Sequence, residues 1–69
     1  MLPIRISKYH IVQPMAVKVV QIGEQAAFVI DLSPTERLRV ACDNPEAMWD
    51  DYYRVLFQGK KKCFEITDY

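Results

Sequence analysis

The middle of the chain alternates apolar and polar positions in the way that is typical of β-strands. Residues 15–22 are rich in β-branched side chains, and residues 26–32 continue the alternation after a break. The break, Gly-Glu-Gln at 23–25, is typical of a short hairpin connection. We therefore predict a β-hairpin. Four apolar residues of its second strand share one face: Ala26, Phe28, Ile30 and Leu32.

The segment before this hairpin has a less regular pattern. Within residues 3–12, Ile4 and Ile11 fall on opposite faces of a continuous strand, so the apolar positions change face part-way along. Pro14 ends the segment, because proline has no amide hydrogen to give to a strand ladder. This pattern predicts a bulged or edge strand, or an N-terminal arm formed by residues 1–14.

Residues 33–42 fit two different patterns. Ser33 and Glu36 have the spacing of a capping box, with a proline between them at the first helical position, which favours a helix. Residues 37–42 alternate apolar and polar side chains, which favours a half-buried strand. We favour the strand, since a turn at Ser33 would equally begin a second hairpin.

Residues 44–58 have the periodicity of an amphipathic helix. Asn44 is a good N-cap and Pro45 suits the first turn. Gly59 can end the helix, because glycine readily adopts the left-handed backbone conformation found just after a helix. At about 100° per residue, one arc of this helix is apolar. That arc contains Met48, Trp49, Tyr52, Val55 and Leu56.

A last short strand is predicted over residues 63–68. The whole pattern predicts a single domain, residues 1–69, of the α+β class. Its architecture would be a small, mainly antiparallel sheet of about four strands with one amphipathic helix packed on a face.

Composition narrows the classes of function. The 69 residues include nine Lys and Arg and nine Asp and Glu, so the formal net charge is zero, which argues against a nucleic-acid binder. The apolar content of 51% is too high for a disordered tail. No apolar run approaches the roughly 18 residues of a membrane span, and no signal-peptide pattern opens the chain. We expect a cytoplasmic protein without a membrane partner.

Few residues have the pattern of a catalytic or metal site. His10 is the sole histidine and has no cysteine or carboxylate at ligand spacing. Asp50 and Asp51 are adjacent on the predicted helix, so they point about 100° apart and do not form a close carboxylate pair. Cys42 and Cys63 lack the spacing of a zinc site, and we expect two reduced thiols. We expect no enzyme activity, no metal and no cofactor.

The predicted helix has an unusual density of aromatic residues. Trp49 and Tyr52 lie on its apolar arc and are expected mainly in the core. Tyr53 and Phe57 lie one turn apart on the flank of that arc, where a small sheet would leave them exposed, and exposed aromatics are typical anchors of protein interfaces. Lysines after the helix form a cationic patch. The predicted partner-binding residues are Trp49, Tyr53, Arg54, Phe57, Lys60, Lys61 and Lys62.

These features favour a non-catalytic protein-interaction module, such as a small inhibitor or adaptor of the kind encoded by phages and other mobile elements, which would bind a host protein. Two alternatives are a structural or accessory subunit of a larger assembly and a nucleic-acid-binding protein that uses Lys60–Lys62 with the aromatics. Val20, Ile22 and Val29 form an apolar second face on the hairpin. Because small proteins seldom leave such a face in water, we also predict a homodimer.

Overall fold

The structure of the chain is a computed structural model and describes residues 1–66. Within this range one helix and six strands form two three-stranded sheets: sheet A in the order β2-β1-β6 and sheet B in the order β3-β4-β5. The α+β class is confirmed, with two small sheets where one sheet of about four strands was predicted. The elements are β1 (Ile4–Ser7), β2 (His10–Val12), β3 (Ala16–Ile22), β4 (Gln25–Asp31), β5 (Arg37–Val40), α1 (Pro45–Gln58) and β6 (Phe64–Glu65).

The predicted hairpin is formed by β3 and β4, which pair in antiparallel register from Ala16↔Asp31 to Ile22↔Gln25. A two-residue loop connects them. Gly23 has a φ of 62°, and within residues 1–66 no non-glycine residue has a positive φ. This combination is that of a type II′ turn, whose twist matches the twist of the flanking strands.

Residues 33–42 form a turn followed by β5, so the strand prediction is confirmed. The hydroxyl of Ser33 accepts a hydrogen bond from the amide of Glu36 at 3.0 Å, as a capping residue would. The amide of Leu32 also donates to the carbonyl of Glu36 at 2.9 Å, which closes the turn. The capping pattern therefore closes a turn between two strands, because the residues after it pair with β4.

The N-terminal segment corrects the prediction of a single strand or an arm. It is a hairpin of β1 and β2, and the chain reverses at Lys8 and Tyr9, which explains why the apolar positions change face. The register shifts inside β1, so the predicted irregularity is present. β1 also pairs in parallel with β6, and Leu2, Ile4 and Val12 are buried in the core. The last two residues of the strand predicted at 63–68 lie outside the described residues.

The helix begins and ends at the predicted residues. The Asn44 side chain accepts a hydrogen bond from the amide of Ala47 at 3.1 Å, and Pro45 occupies the first turn. Gly59, with a φ of 68°, donates its amide to the carbonyl of Val55. The N-cap and the left-handed C-cap satisfy backbone groups that a helix leaves unpaired at its ends.

The core lies where α1 meets both sheets. Tyr52 is at its centre, and burial raises the pKa of this side chain to about 12. Its hydroxyl donates to the carbonyl of Leu2 at 2.8 Å, and its ring packs edge-on against Phe64. Tyr52 therefore connects the helix to sheet A, while Phe28 and Ile30 of sheet B complete the core.

Candidate protein-interaction site

Three aromatic side chains form a continuous stripe along α1, which we call the aromatic stripe: Trp49, Tyr53 and Phe57. Ring centroids are 4.8 Å apart between Trp49 and Tyr53, and 6.1 Å apart between Tyr53 and Phe57. Residues four apart lie on the same helix face, which explains the contacts. Phe57 is 82% exposed and Trp49 is 37% exposed. The stripe therefore presents two aromatic rings to solvent.

The centre of the stripe differs from the sequence prediction. Tyr53 is half-buried, and its hydroxyl donates to the carbonyl of Val17 in β3 at 3.3 Å. Its ring also packs edge-on against Tyr52. The prediction of an exposed Tyr53 is wrong, because the helix turns this flank towards the edge of sheet B. Trp49, expected mainly in the core, instead lies at the surface.

A groove runs between β3 and the first half of α1. Its volume is about 440 Å³. Its lining combines apolar surface from Val17, Val19 and Trp49 with the charged side chains of Lys18, Glu46 and Asp50. The sequence did not reveal this groove, since nothing in its local pattern tells which strand lies beside the helix.

The predicted cationic residues differ in whether they form an ion pair. Arg54 forms an ion pair with Asp51 one turn earlier on the helix, so its charge is already matched. Lys60–Lys62 follow the helix and are exposed. No ion pair engages these lysines within residues 1–66.

The far face of sheet B, turned away from α1, mixes polar and apolar side chains. Val29 was predicted to be exposed there, yet it is only 2% exposed. Its cross-strand neighbours are Lys18 and Arg39, whose aliphatic stems can cover a central apolar residue. Val20 is half-buried, and Ile22, at 44% exposure, lies at the end of the sheet. The apolar second face is therefore smaller than the sequence indicated.

An ion cluster occupies the same face. Asp31 contacts Arg37 at 2.8 Å and Lys18 at 3.0 Å. The hydrogen bond from Arg37, followed by that from Lys18, lowers the pKa of Asp31. The three side chains come from three strands, so the cluster connects the sheet across its far face.

The cysteines and the histidine lie outside α1. Cys42 follows β5 and Cys63 precedes β6, and both thiols are free and half-buried. Burial, with a smaller contribution from Asp43, raises the pKa of Cys42. His10 is exposed in β2. Within residues 1–66 no three His, Cys, Asp or Glu side chains are grouped so as to hold a metal ion.

Across residues 1–66 no helix has the length and apolar character needed to cross a membrane. Comparison with protein-family models, with curated proteins and with solved structures found no match to this chain.

Proposed function

We propose that this chain is a non-catalytic protein-interaction module that binds a partner protein through the aromatic stripe. The observation that carries the proposal is the exposure of the stripe's two outer rings on a fixed central residue. Phe57 and Trp49 are exposed, while Tyr53 between them is held by its hydrogen bond to Val17. A rigid scaffold that presents exposed aromatic rings binds with little loss of side-chain entropy, and such rings supply much of the energy of protein interfaces.

The environment of Cys42 opposes a nucleophilic role for this thiol. A nucleophilic cysteine needs a lowered pKa, and that of Cys42 is raised. The charge of the Asp43 carboxylate also opposes thiolate formation. An inhibitor or adaptor of phage type, acting in the cytoplasm on a host protein, fits a small binding domain of this kind.

Self-association through the exposed aromatics is part of the same proposal. A homodimer would cover the exposed ring of Phe57. The burial of Val29 reduces the apolar area available, so we expect a weak dimer that a partner protein displaces.

The proposal is tested with the variant Phe57→Ser and the matched control Tyr9→Ser. Tyr9 is 89% exposed, lies in the turn between β1 and β2, and is remote in the chain from the stripe. Each protein is immobilised, incubated with native host extract and analysed by quantitative mass spectrometry. We expect a defined set of proteins that the unmodified chain and Tyr9→Ser retain and that Phe57→Ser loses.

Two further measurements, the salt dependence of binding and sedimentation, complete the experiment. Binding through aromatic anchors should persist at high salt, whereas binding to nucleic acid weakens steeply as salt rises. Retention of the same proteins by Phe57→Ser, or capture of nucleic acid alone, would contradict the proposal. Sedimentation of the unmodified chain and of Phe57→Ser measures the predicted dimer independently.

A further inference from the structure

β3 forms an open edge of sheet B. Within residues 1–66 it pairs only with β4. The two residues that flank a two-residue hairpin loop exchange hydrogen bonds, and paired positions alternate from there. The even-numbered residues of β3 therefore face β4, and the amides and carbonyls of Val17, Val19 and Gln21 face outward. The bond from the Tyr53 hydroxyl to the carbonyl of Val17 agrees with this assignment.

Apart from the Tyr53 hydroxyl on the Val17 carbonyl, this edge lacks the features that usually block the pairing of edge strands. Natural edges are protected by proline, by bulges, by short length or by lysines that point outward. β3 has seven residues in unbroken register and no proline. Its one lysine, Lys18, is bound to Asp31 on the far face. The other described edges are shorter: β2 has three residues, β5 has four and β6 has two.

The groove beside the edge has an electrostatic preference. Val19 and Trp49 form its apolar part, and Glu46 and Asp50 form its acidic part. Neither carboxylate takes part in an ion pair among residues 1–66, whereas the ammonium group of Lys18 contacts the Asp31 carboxylate, which it shares with Arg37. A strand added to β3 would place alternate side chains in this groove. The groove favours one apolar side chain and one Lys or Arg.

A second copy of the chain does not meet this preference. Antiparallel pairing of β3 with itself about Val19 would bring Val19 and Gln21 of the copy into the groove, with no cation. Both helices would then lie on one face of the joined sheet, with the Glu46 and Asp50 carboxylates of the two copies facing each other. Like charges in this position destabilise the pairing.

We propose that the β3 edge binds an extended segment of another protein by strand addition, and that this segment alternates an apolar residue with Lys or Arg on its groove side. Main-chain hydrogen bonds to Val19 and Gln21 supply affinity, and the groove supplies specificity. The inference rests on the proposed function, in that it states how a partner is bound. It uses the Trp49 end of the stripe and does not depend on Phe57.

The first test selects binders from a phage-displayed library of random short peptides. We expect peptides with alternating apolar and basic residues. The same peptides are then measured on Val19→Pro. Because the Val19 amide faces outward, proline removes a donor to the added strand without removing a bond to β4. We expect a loss of affinity of about tenfold or more, with the unfolding transition retained.

The second test removes the two carboxylates of the groove and leaves the sequence of β3 unchanged. The variant Glu46→Gln/Asp50→Asn should lose the preference for basic peptides. The matched control Glu24→Gln/Glu36→Gln removes the same charge from two exposed turn residues and should retain it. If Val19→Pro does not fold, these two double variants still test whether the acidic side chains select basic peptides.

Several outcomes would overturn strand addition: no selected peptide above background, equal binding by Val19→Pro, a consensus without basic residues, or a dimer of the unmodified chain that Val19→Pro abolishes. If any of these outcomes occurs while Phe57→Ser still loses the proteins that the unmodified chain retains, strand addition is wrong and the proposed function is retained. If Phe57→Ser retains every protein while peptides bind β3 as expected, the proposal that the aromatic stripe binds a partner is wrong and the proposal of strand addition is retained.

Discussion

On the face of sheet B that α1 covers, the central positions are Val17, Phe28 and Ile30, and all three are buried. On the far face, the adjacent positions are Lys18, Val29 and Asp31, two of which carry charge. The same strands supply both faces, since successive side chains of a strand point to opposite sides. One face is closed by a helix, whereas on the other the cross-strand neighbours of Val29 are the long side chains of Lys18 and Arg39.

The comparison shows two ways to bury an apolar residue. Phe28 and Val29 are neighbours in β4 and are equally hidden from water. Phe28 belongs to the core formed with the helix and sheet A, whereas Val29 is not part of that cluster. Low exposure alone therefore does not identify the core. What surrounds the side chain determines how much stability its burial contributes.

The largest effect is expected from truncating these two neighbours. Phe28→Ala leaves a cavity among rigid core side chains and should lower the free energy of unfolding by about 3–5 kcal/mol. Val29→Ala removes two carbons that flexible stems cover and should cost about 1–2 kcal/mol. Urea unfolding followed by the fluorescence of the single tryptophan measures both. Equal losses would show that the two burials are equivalent.

A smaller effect is expected from the buried hydroxyl beneath the helix. Tyr52→Phe leaves the carbonyl of Leu2 without its partner and should cost about 1–3 kcal/mol. The matched control is Tyr53→Phe, whose hydrogen bond to Val17 is longer and less buried, and which should cost about 0.5–1.5 kcal/mol. Thermal unfolding of both variants tests this order. A greater loss in Tyr53→Phe would contradict it.

The smallest effect is expected from the ion cluster on the far face, because exposed ion pairs contribute little to stability. The pKa of Asp31 is lower in the folded state than its ordinary value of 3.8. Its contribution is therefore fully present above that value and is lost as pH falls through the folded pKa. Asp31→Asn should unfold with a weaker dependence on pH below about 4 than the unmodified chain, as measured by urea titrations. The control Glu24→Gln removes an exposed carboxylate of the turn. If Asp31→Asn and Glu24→Gln change this dependence equally, the cluster does not lower the pKa of Asp31.

Much of the fold follows from local signals. Asn44, Pro45 and Gly59 place both ends of α1 because capping depends on neighbouring backbone groups alone. The β3–β4 hairpin follows from β-branched runs around a glycine turn for the same reason. The N-terminal hairpin was missed, since the chain reverses at Lys8 and Tyr9 without a glycine, proline or asparagine to mark the turn.

The candidate site was only partly predictable. Spacing along the helix identified Phe57 and placed Trp49, Tyr53 and Phe57 on neighbouring positions. Whether each ring is exposed depends on how far α1 rotates over sheet B. That rotation turns Tyr53 onto Val17 and leaves Trp49 at the rim of the groove. No periodicity within the helix contains this information.

Local sequence patterns were enough to place the ends of the helix, to assign the residues of β3 and β4 that share a face, and to indicate the α+β class, because each depends on groups a few positions apart. Local patterns do not contain the division into two sheets, the burial of Val29 or the open edge at Val19. These depend on contacts between distant parts of the chain, such as the hydrogen bond from Tyr52 to Leu2 across 50 positions. Which surface remains for a partner is settled by such contacts, since a face is exposed only when no distant element packs on it.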